Sequence, residues 1–355
     1  MTVRAPLLAL SLAAAAALAV APAAAGATRT LTLEGWHDRA LAFSGRQLVW
    51  TEAATARVDP RRIAGSPAGA RRFDYYRAET SRARLDRSSR RFAGLPETPV
   101  AVRTSVARMS SGTLTPTGDG GFVAVPGSTR PAPPVIWCCD ESGIEAVIES
   151  DGRPEAPVSV AAAWTGSAVR FVQLDAAGRQ VLRVGDPAGG PVPPPVLAEP
   201  GAAGLVAVAG GDLRAWADPG QPSRLLVAGG GAPAVALALP GPALRVWAAP
   251  GLVAALSRGA SGYAVTRIDV AAGAPRARRI WSGARRPSVG IGGGTVAIAD
   301  GKRVLASRGR GATRRVTTSR RRVDAVGADG ARLAWIERGR RKGLRVGVVR
   351  LARLR

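Results

Sequence analysis

The most constraining feature of the chain is a unit that recurs about every forty residues: two short apolar runs around a glycine-bearing turn, the second often closing on tryptophan. LAFSGRQLVW, GLVAVAGGDLRAW and AVGADGARLAW are the clearest copies, with looser ones in FVAVPGSTRPAPPVIW, SVAAAWTGSAVRFV, LRVWAAPGLVAAL and SVGIGGGTVAIAD. Taking the end of the second run as a marker gives Trp50, Trp137, Val172, Trp216, Ala255, Ile298 and Trp335. Trp137 and Trp335 lie 198 residues apart and enclose five intervals. The mean interval is therefore near 40, the period of a four-stranded propeller blade. One such sheet has two apolar faces and cannot bury both alone, whereas a ring of sheets buries each against the next and leaves only short edges.

The interval from Trp50 to Trp137 is about twice the mean, so residues 52–122 hold either a long excursion or a degenerate blade. Elsewhere, short runs of Val, Leu, Ala and Trp alternate with Gly, Pro and Asp, and no long helical period follows the first thirty residues. Asparagine is absent, so glycine and aspartate must supply the positive φ that tight hairpins need. The expected fold is all-β: a single β-propeller of about seven four-stranded blades over residues 28–355. Two β-sandwiches would also give short strands and frequent turns, but they do not account for the period.

Residues 1–27 stand apart. Arg4 gives a positive start, Leu7 to Val20 an apolar run, and small residues continue to Ala27 with small-x-small sites at Ala23/Ala25 and Ala25/Ala27. This is the pattern of a secretory signal peptide. A membrane anchor would need a basic stop-transfer flank, and no later stretch reaches the roughly 18 apolar residues of a span. The expectation is a mature chain without a transmembrane span, secreted or held in the cell envelope or periplasm.

In the last repeat, GADGARLAWIERGRRKGLRVGVVRL, an Asp-Gly hairpin precedes an apolar-aromatic strand and a further strand follows. Asp329, Gly330, Leu333, Ala334 and Trp335 make this segment resemble the repeat of WD40-like bacterial propellers of the TolB type. The resemblance implies a propeller fold and a tendency to bind other molecules, without a transferable active site.

The formal net charge is +25, and all but two of the 50 basic residues are arginines. That skew resembles a GC-rich genome, so high charge alone does not imply nucleic-acid binding, and none is expected. Placement says more. Residues 276–355 hold 23 Lys/Arg against 4 Asp/Glu, and residues 57–92 hold 11 against 4. In a closed ring these two segments become neighbours and form a basic sector. Its candidate anion-binding residues are Arg278, Arg279, Arg285, Arg286, Arg314, Arg315, Arg320, Arg321, Arg322, Arg340 and Arg341. For an exported protein the expected partners are an anionic cell-envelope polymer, bound with counterion release, or another protein. The bland reading is a solvated arginine-rich face. Phe73, Tyr75, Tyr76 and Phe92 interleave with arginines and suit either stacking or a blade core.

Between Asp140 and Glu155 the sign reverses, with Glu141, Glu145, Glu149 and Asp151 also present. The run fits a solvated hairpin or contact with a basic sector, and it lacks the ligand spacing of an EF-hand. Cys138 and Cys139 are adjacent and are the only cysteines. They are open to three readings: buried thiols, a vicinal disulfide, or bonds to another molecule. A vicinal ring is strained, because a trans peptide holds adjacent Cα atoms about 3.8 Å apart against the roughly 4.4–6.8 Å of ordinary disulfides. A vicinal disulfide beside a propeller resembles quinoprotein alcohol dehydrogenases, which implies an oxidoreductase as one alternative.

His37 is the sole histidine, and in LEGWHDRA it has no accompanying triad pattern. GIGGGT at Gly290 leads into the strand-like TVAIAD rather than the helix that a phosphate loop requires. There is no G-x-S-x-G, H-E-x-x-H or C-x-x-C. No catalytic, cofactor-binding or metal residue is assigned, and no cofactor is expected. The reading favoured is an exported binding or scaffold propeller; the alternative is a secreted propeller enzyme, a hydrolase, lyase or quinoprotein-like oxidoreductase, with its site at the central mouth.

Overall fold

The computed structural model describes residues 30–34, 37–58, 73–85, 93, 97–104, 110–116, 122–127, 135–138, 144–147, 158–165, 168–174, 179–185, 196–200, 205–210, 212–229, 231–270, 275–341 and 344–354. Strand β1 (Thr30–Glu34) is followed by blade 1, made of β2 (His37–Ser44), β3 (Gln47–Val58), β4 (Phe73–Arg84) and β5 (Glu97–Thr104). Blade 2 contains β6 (Ser110–Pro116), β7 (Phe122–Gly127), β8 (Val135–Cys138) and β9 (Ile144–Val147). Blade 3 contains β10 (Val158–Trp164), β11 (Val169–Leu174), β12 (Arg179–Gly185) and β13 (Val196–Pro200). Blade 4 contains β14 (Val206–Val208), β15 (Arg214–Ala217), β16 (Arg224–Ala228) and β17 (Val235–Ala238). Blade 5 contains β18 (Ala243–Ala249), β19 (Leu252–Gly259), β20 (Gly262–Asp269) and β21 (Arg276–Gly283). Blade 6 contains β22 (Ser288–Gly292), β23 (Thr295–Asp300), β24 (Arg303–Arg308) and β25 (Arg314–Thr318).

The seventh four-stranded sheet is assembled from both ends of the chain. It takes β26 (Val323–Asp329), β27 (Arg332–Arg341) and β28 (Leu344–Arg353), and then β1 as its outermost strand. Thr30 to Glu34 run antiparallel to Arg350 to Val346 in continuous register. The first strand of each sheet lies beside the first strand of the next, and β26 lies beside β2, so the ring closes. The fold is an all-β propeller.

Burial follows the same geometry. The second strands are enclosed between blades: Leu252–Leu256 of β19 and Thr295–Ala299 of β23 are buried without a break. These stretches show no inside-outside alternation because both of their faces are covered, as in any sheet buried on both sides. The fourth strands form the rim, with β17 and β25 mostly exposed. Hydrophobic clusters straddle neighbouring blades. Trp216 of blade 4 packs with Ala161, Ala163 and Val172 of blade 3, and Trp335 of blade 7 packs with Ala297 and Val304 of blade 6.

All seven first strands run the same way through the disc, which defines an upper face where they begin and a lower face where they end. The turns into the second strands lie on the lower face. There Gly330 (φ 57°) and Asp212 (φ 63°) adopt the left-handed conformation that asparagine often supplies.

One marker was misplaced by the repeat. Trp137 lies on β8, the third strand of blade 2, where it pairs with Phe122 of β7. The first strand of that blade, SSGTLTP, is largely Ser and Thr and carries little apolar signal, so FVAV takes its place in a sequence reading. Residues 52–122 contain the end of β3, then β4, β5 and β6, and the start of β7; β3 and β4 have 12 residues each and lengthen the interval. Residues 1–27, Cys139 and most of the acidic run lie outside the described residues, as do the side chains of His37 and Cys138.

Candidate functional site: the central cavity and the upper face

The inner strands enclose a cavity of about 850 Å³. Among the described residues its wall comes from β2, β10, β14, β18, β22 and β26, and much of it is alanine and glycine. Three aromatic side chains interrupt that small-residue wall: Phe43, Trp164 and Trp247. Four arginines, Arg245, Arg286, Arg322 and Arg332, face the cavity against two aspartates, Asp324 and Asp329.

Both carboxylates are engaged. Asp324 accepts from Arg338 at 2.8 Å, and Asp329 is paired with Arg332, which also donates to the Gly45 carbonyl across the blade 7 to blade 1 junction. The Arg332 guanidinium lies 5.1 Å from the Phe43 ring, so this end of the wall is a closed polar and cation–π arrangement. Arg245, near the upper end of β18, is half-buried with its guanidinium 5.4 Å from the Trp247 ring. Burial pushes its pKa below the usual arginine value, and the neighbouring positive charge of Arg286 adds to the effect. Among the described residues, the lining of the upper mouth holds more arginines than carboxylates.

Glycoside hydrolysis needs two carboxyl groups roughly 5–9.5 Å apart. Asp324 and Asp329 sit five residues apart on one extended strand, a separation of about 17 Å. Among the described residues the mouth therefore lacks the acid pair that a hydrolase of that kind requires. No group of three or more His, Cys, Asp or Glu side chains is placed to hold a metal ion among them. No helix among the described residues is long and apolar enough to cross a membrane.

The predicted arginines separate into two groups. Arg285 and Arg286 precede β22, Arg320 to Arg322 precede β26, and Arg340 and Arg341 end β27. All seven therefore belong to the upper ends of blades 5 to 7. Arg321, Arg338 and Arg340 line a groove of about 360 Å³, in which a Cβ on Gly339 would fall 2.6 Å from Arg321 Nη1. Arg278, Arg279, Arg314 and Arg315 lie instead near the lower ends of the outer strands β21 and β25. Arg278 donates to the Arg310 and Gly311 carbonyls at 3.1 and 2.9 Å, so its guanidinium staples blade 5 to a turn of blade 6. The eleven positions do not form one patch.

Arg245 and Trp247 are the residues that sequence reasoning passed over. The signal was present, since ALRVW is an inner strand and its alternate residues must face the channel or the neighbouring blades. It was obscured because charge was counted by segment, and an isolated arginine in an apolar run adds little to such a count.

No family model matches the chain, and no curated protein does. Solved propellers do resemble it. A chain of the mitotic checkpoint complex superposes with a TM-score of 0.53 at 11% identity, covering 94% of this chain and 98% of its own. Acylaminoacyl peptidase of Pyrococcus horikoshii gives 0.51 at 11% identity over 90% of this chain and 54% of its own. PorZ, a surface component of the type-IX secretion system of Porphyromonas gingivalis, gives 0.48 at 13% identity over 86% of this chain. This chain spans about half the length of the peptidase and 36% of the PorZ chain. At such identities the likeness shows the fold alone.

Proposed function

We propose that the chain is an exported binding propeller of the TolB-like, WD40-like kind, whose working surface is the upper face of blades 5 to 7 and whose partner is an anionic cell-envelope polymer. The observation that carries this reading is the convergence there of Arg285, Arg286, Arg320, Arg321, Arg322 and Arg340, from loops and strand ends of adjacent blades. The carboxylate beside them, Asp324, is taken by Arg338. A face of this kind attracts a polyanion by releasing its counterions and needs no enclosed pocket. The resemblance is supported by the Asp329-Gly330 turn, where Gly330 has a positive φ, and by the burial of Trp335 on the strand that follows.

The test is co-sedimentation of the mature protein with isolated envelope material, with polyphosphate as a defined probe, across a salt series. Binding should fall by roughly a thousandfold or more between about 50 and 200 mM salt if six phosphate contacts form. The Arg320→Ala/Arg321→Ala variant should lower the slope of log affinity against log salt by roughly two, and Arg314→Ala/Arg315→Ala should leave it unchanged. Salt-insensitive binding to the envelope material would replace the polymer with a protein partner. N-terminal sequencing of the exported chain should begin just after Ala25 or Ala27; an uncleaved leader would remove the exported part of the reading.

A further inference from the structure

We infer that β17, the outer strand of blade 4, is a pairing edge for a second copy of this chain, and that two copies join there edge to edge as a two-fold dimer. Charge singles this edge out. The other six outermost strands each carry at least one charged residue: Glu34 in β1, Glu97 in β5, Glu145 in β9, Glu199 in β13, Arg276 in β21 and Arg314 in β25. Charge on an edge strand discourages pairing with another chain. β17 reads VALA, and the stretch from Leu225 to Leu244 contains only Leu, Val, Ala, Gly and Pro. Its residues are exposed apart from half-buried Leu237. Among the described residues, Val235 is the one large hydrophobic side chain that stays exposed, at 38%.

The backbone sets the register. Leu239 donates to the Ser223 carbonyl at 2.7 Å, so at Leu237 and Val235 the N–H and C=O groups are likewise turned toward β16. Those of Ala236 and Ala238 are turned outward, to the free edge. An antiparallel copy that sets Ala236 opposite the partner's Ala238 satisfies these groups on both strands. Leu237 then lies opposite itself on the two-fold axis, and Val235 lies beside the partner's Leu239. The next outward pair would set Ala234 against the partner's Pro240, which has no N–H, so the ladder ends there and the contact closes at two copies. Charge also selects the occupant. At a formal net charge of +25, two copies repel over much of their surface, and an uncharged edge lets them meet without setting like charges opposite one another. The contact uses the rim of blade 4 and leaves the arginines of blades 5 to 7 outside it.

A contact between strands this short buries less than the roughly 1,200–2,000 Å² of stable complexes, so a Kd on the order of 100 µM is expected. Sedimentation of the mature protein from about 10 µM to 1 mM should show the mass rising toward twice that of the monomer. The rise should be larger at about 500 mM than at 50 mM salt, because salt screens the repulsion between copies. Polymer binding by the upper face weakens as salt rises, so the two readings fail separately. In hydrogen exchange, the amides of Ala236 and Ala238 should gain protection with protein concentration, while that of Leu237, which faces β16, stays unchanged. Ala236→Lys, at an exposed position, should weaken the dimer by about tenfold or more, because it brings two lysines to the contact. Thr318→Lys, on the already charged β25, should leave it unchanged. The inference is overturned by a protein that stays monomeric at the highest concentration and salt, or by an Ala236→Lys variant that dimerises as well as the parent. Concentration-dependent protection at another strand edge in place of β17 also overturns it.

Discussion

Two arcs of inner strands line the same channel and meet their neighbours in different ways. Along β22, β26 and β2 the strands approach backbone to backbone: a Cβ at Gly290 would overlap the Val326 carbonyl, and one at Gly327 would fall 2.8 Å from the Leu41 carbonyl. Ser288 adds a side-chain hydrogen bond to the Asp324 carbonyl at 2.7 Å, and Thr295 one to the Gly330 carbonyl at 2.6 Å. Along β10, β14 and β18 the contacts are made by side chains instead, with Ala161, Val206, Val208 and Trp216 in one cluster and Ala207, Val246 and Ile268 in the next. Glycine lets one arc close main chain to main chain, while the other is held by interlocking side chains.

The largest expected effect lies in the side-chain arc. Trp216 is fully buried at the blade 3 to blade 4 junction, and Trp216→Ala should cost about 3–5 kcal/mol in a urea unfolding curve. A near-neutral result would mean that the cluster collapses around the gap and that packing does not hold this arc. Next comes the glycine arc. Gly290→Ala adds a single methyl group, yet it must push against a main-chain carbonyl that cannot rotate away, so about 1–3 kcal/mol is expected. If Gly290→Ala is tolerated without loss, the strands can separate and the two arcs differ less than their geometry indicates.

Much of this fold was legible because a propeller repeats one solution to one problem. Trp50, Val172, Trp216, Ala255, Ile298 and Trp335 all fall on the second strand of their blades, where burial on both faces demands continuous apolar residues. Trp137 did not, because SSGTLTP gives no apolar cue and a strand of that kind is recognised only once its neighbours are in place. The candidate site was less legible. Charge counts gathered Arg320 to Arg322, which the fold places on the upper face, together with Arg278, which hydrogen bonds to a turn of the next blade. The cavity was legible only as the central mouth that any closed ring has, and not in its lining. It depends on which residues of six separate strands face one axis, and that is a property of ring closure rather than of any local pattern.

A smaller effect is expected at the junction between blades 5 and 6, where the two arcs join. Arg267 is 3% exposed, pairs with Asp269 at 2.5 Å, and donates to the Gly294 and Ser307 carbonyls at 3.0 Å each. Removing one partner of a fully buried pair costs about 3–5 kcal/mol, but the Asp269 carboxylate is 36% exposed and water can recover part of that loss. Arg267→Met, which keeps the aliphatic stem, should therefore destabilise by about 1–2 kcal/mol in urea. A cost matching that of Trp216→Ala would make this polar strap, rather than apolar packing, the main tie between the arcs.

The smallest expected effect is also the sharpest comparison. Ala248 is half-buried on β18 and packs against the blade 4 to blade 5 cluster, so Ala248→Val enlarges a side chain as Gly290→Ala does, but against side chains rather than a main-chain carbonyl. Its cost should be about 1 kcal/mol or less, below that of Gly290→Ala, because neighbouring side chains can shift where a carbonyl cannot. Ala248 adjoins Trp247 in the chain, and on an extended strand consecutive side chains point to opposite sides. Ala248 accordingly packs with the blade 4 to blade 5 cluster and Trp247 with the blade 5 to blade 6 cluster. A valine there that costs clearly less in urea unfolding than Gly290→Ala would show that the side-chain arc yields where the glycine arc cannot. A valine that destabilises the fold as much as Gly290→Ala does would mean that the two arcs are equally tight.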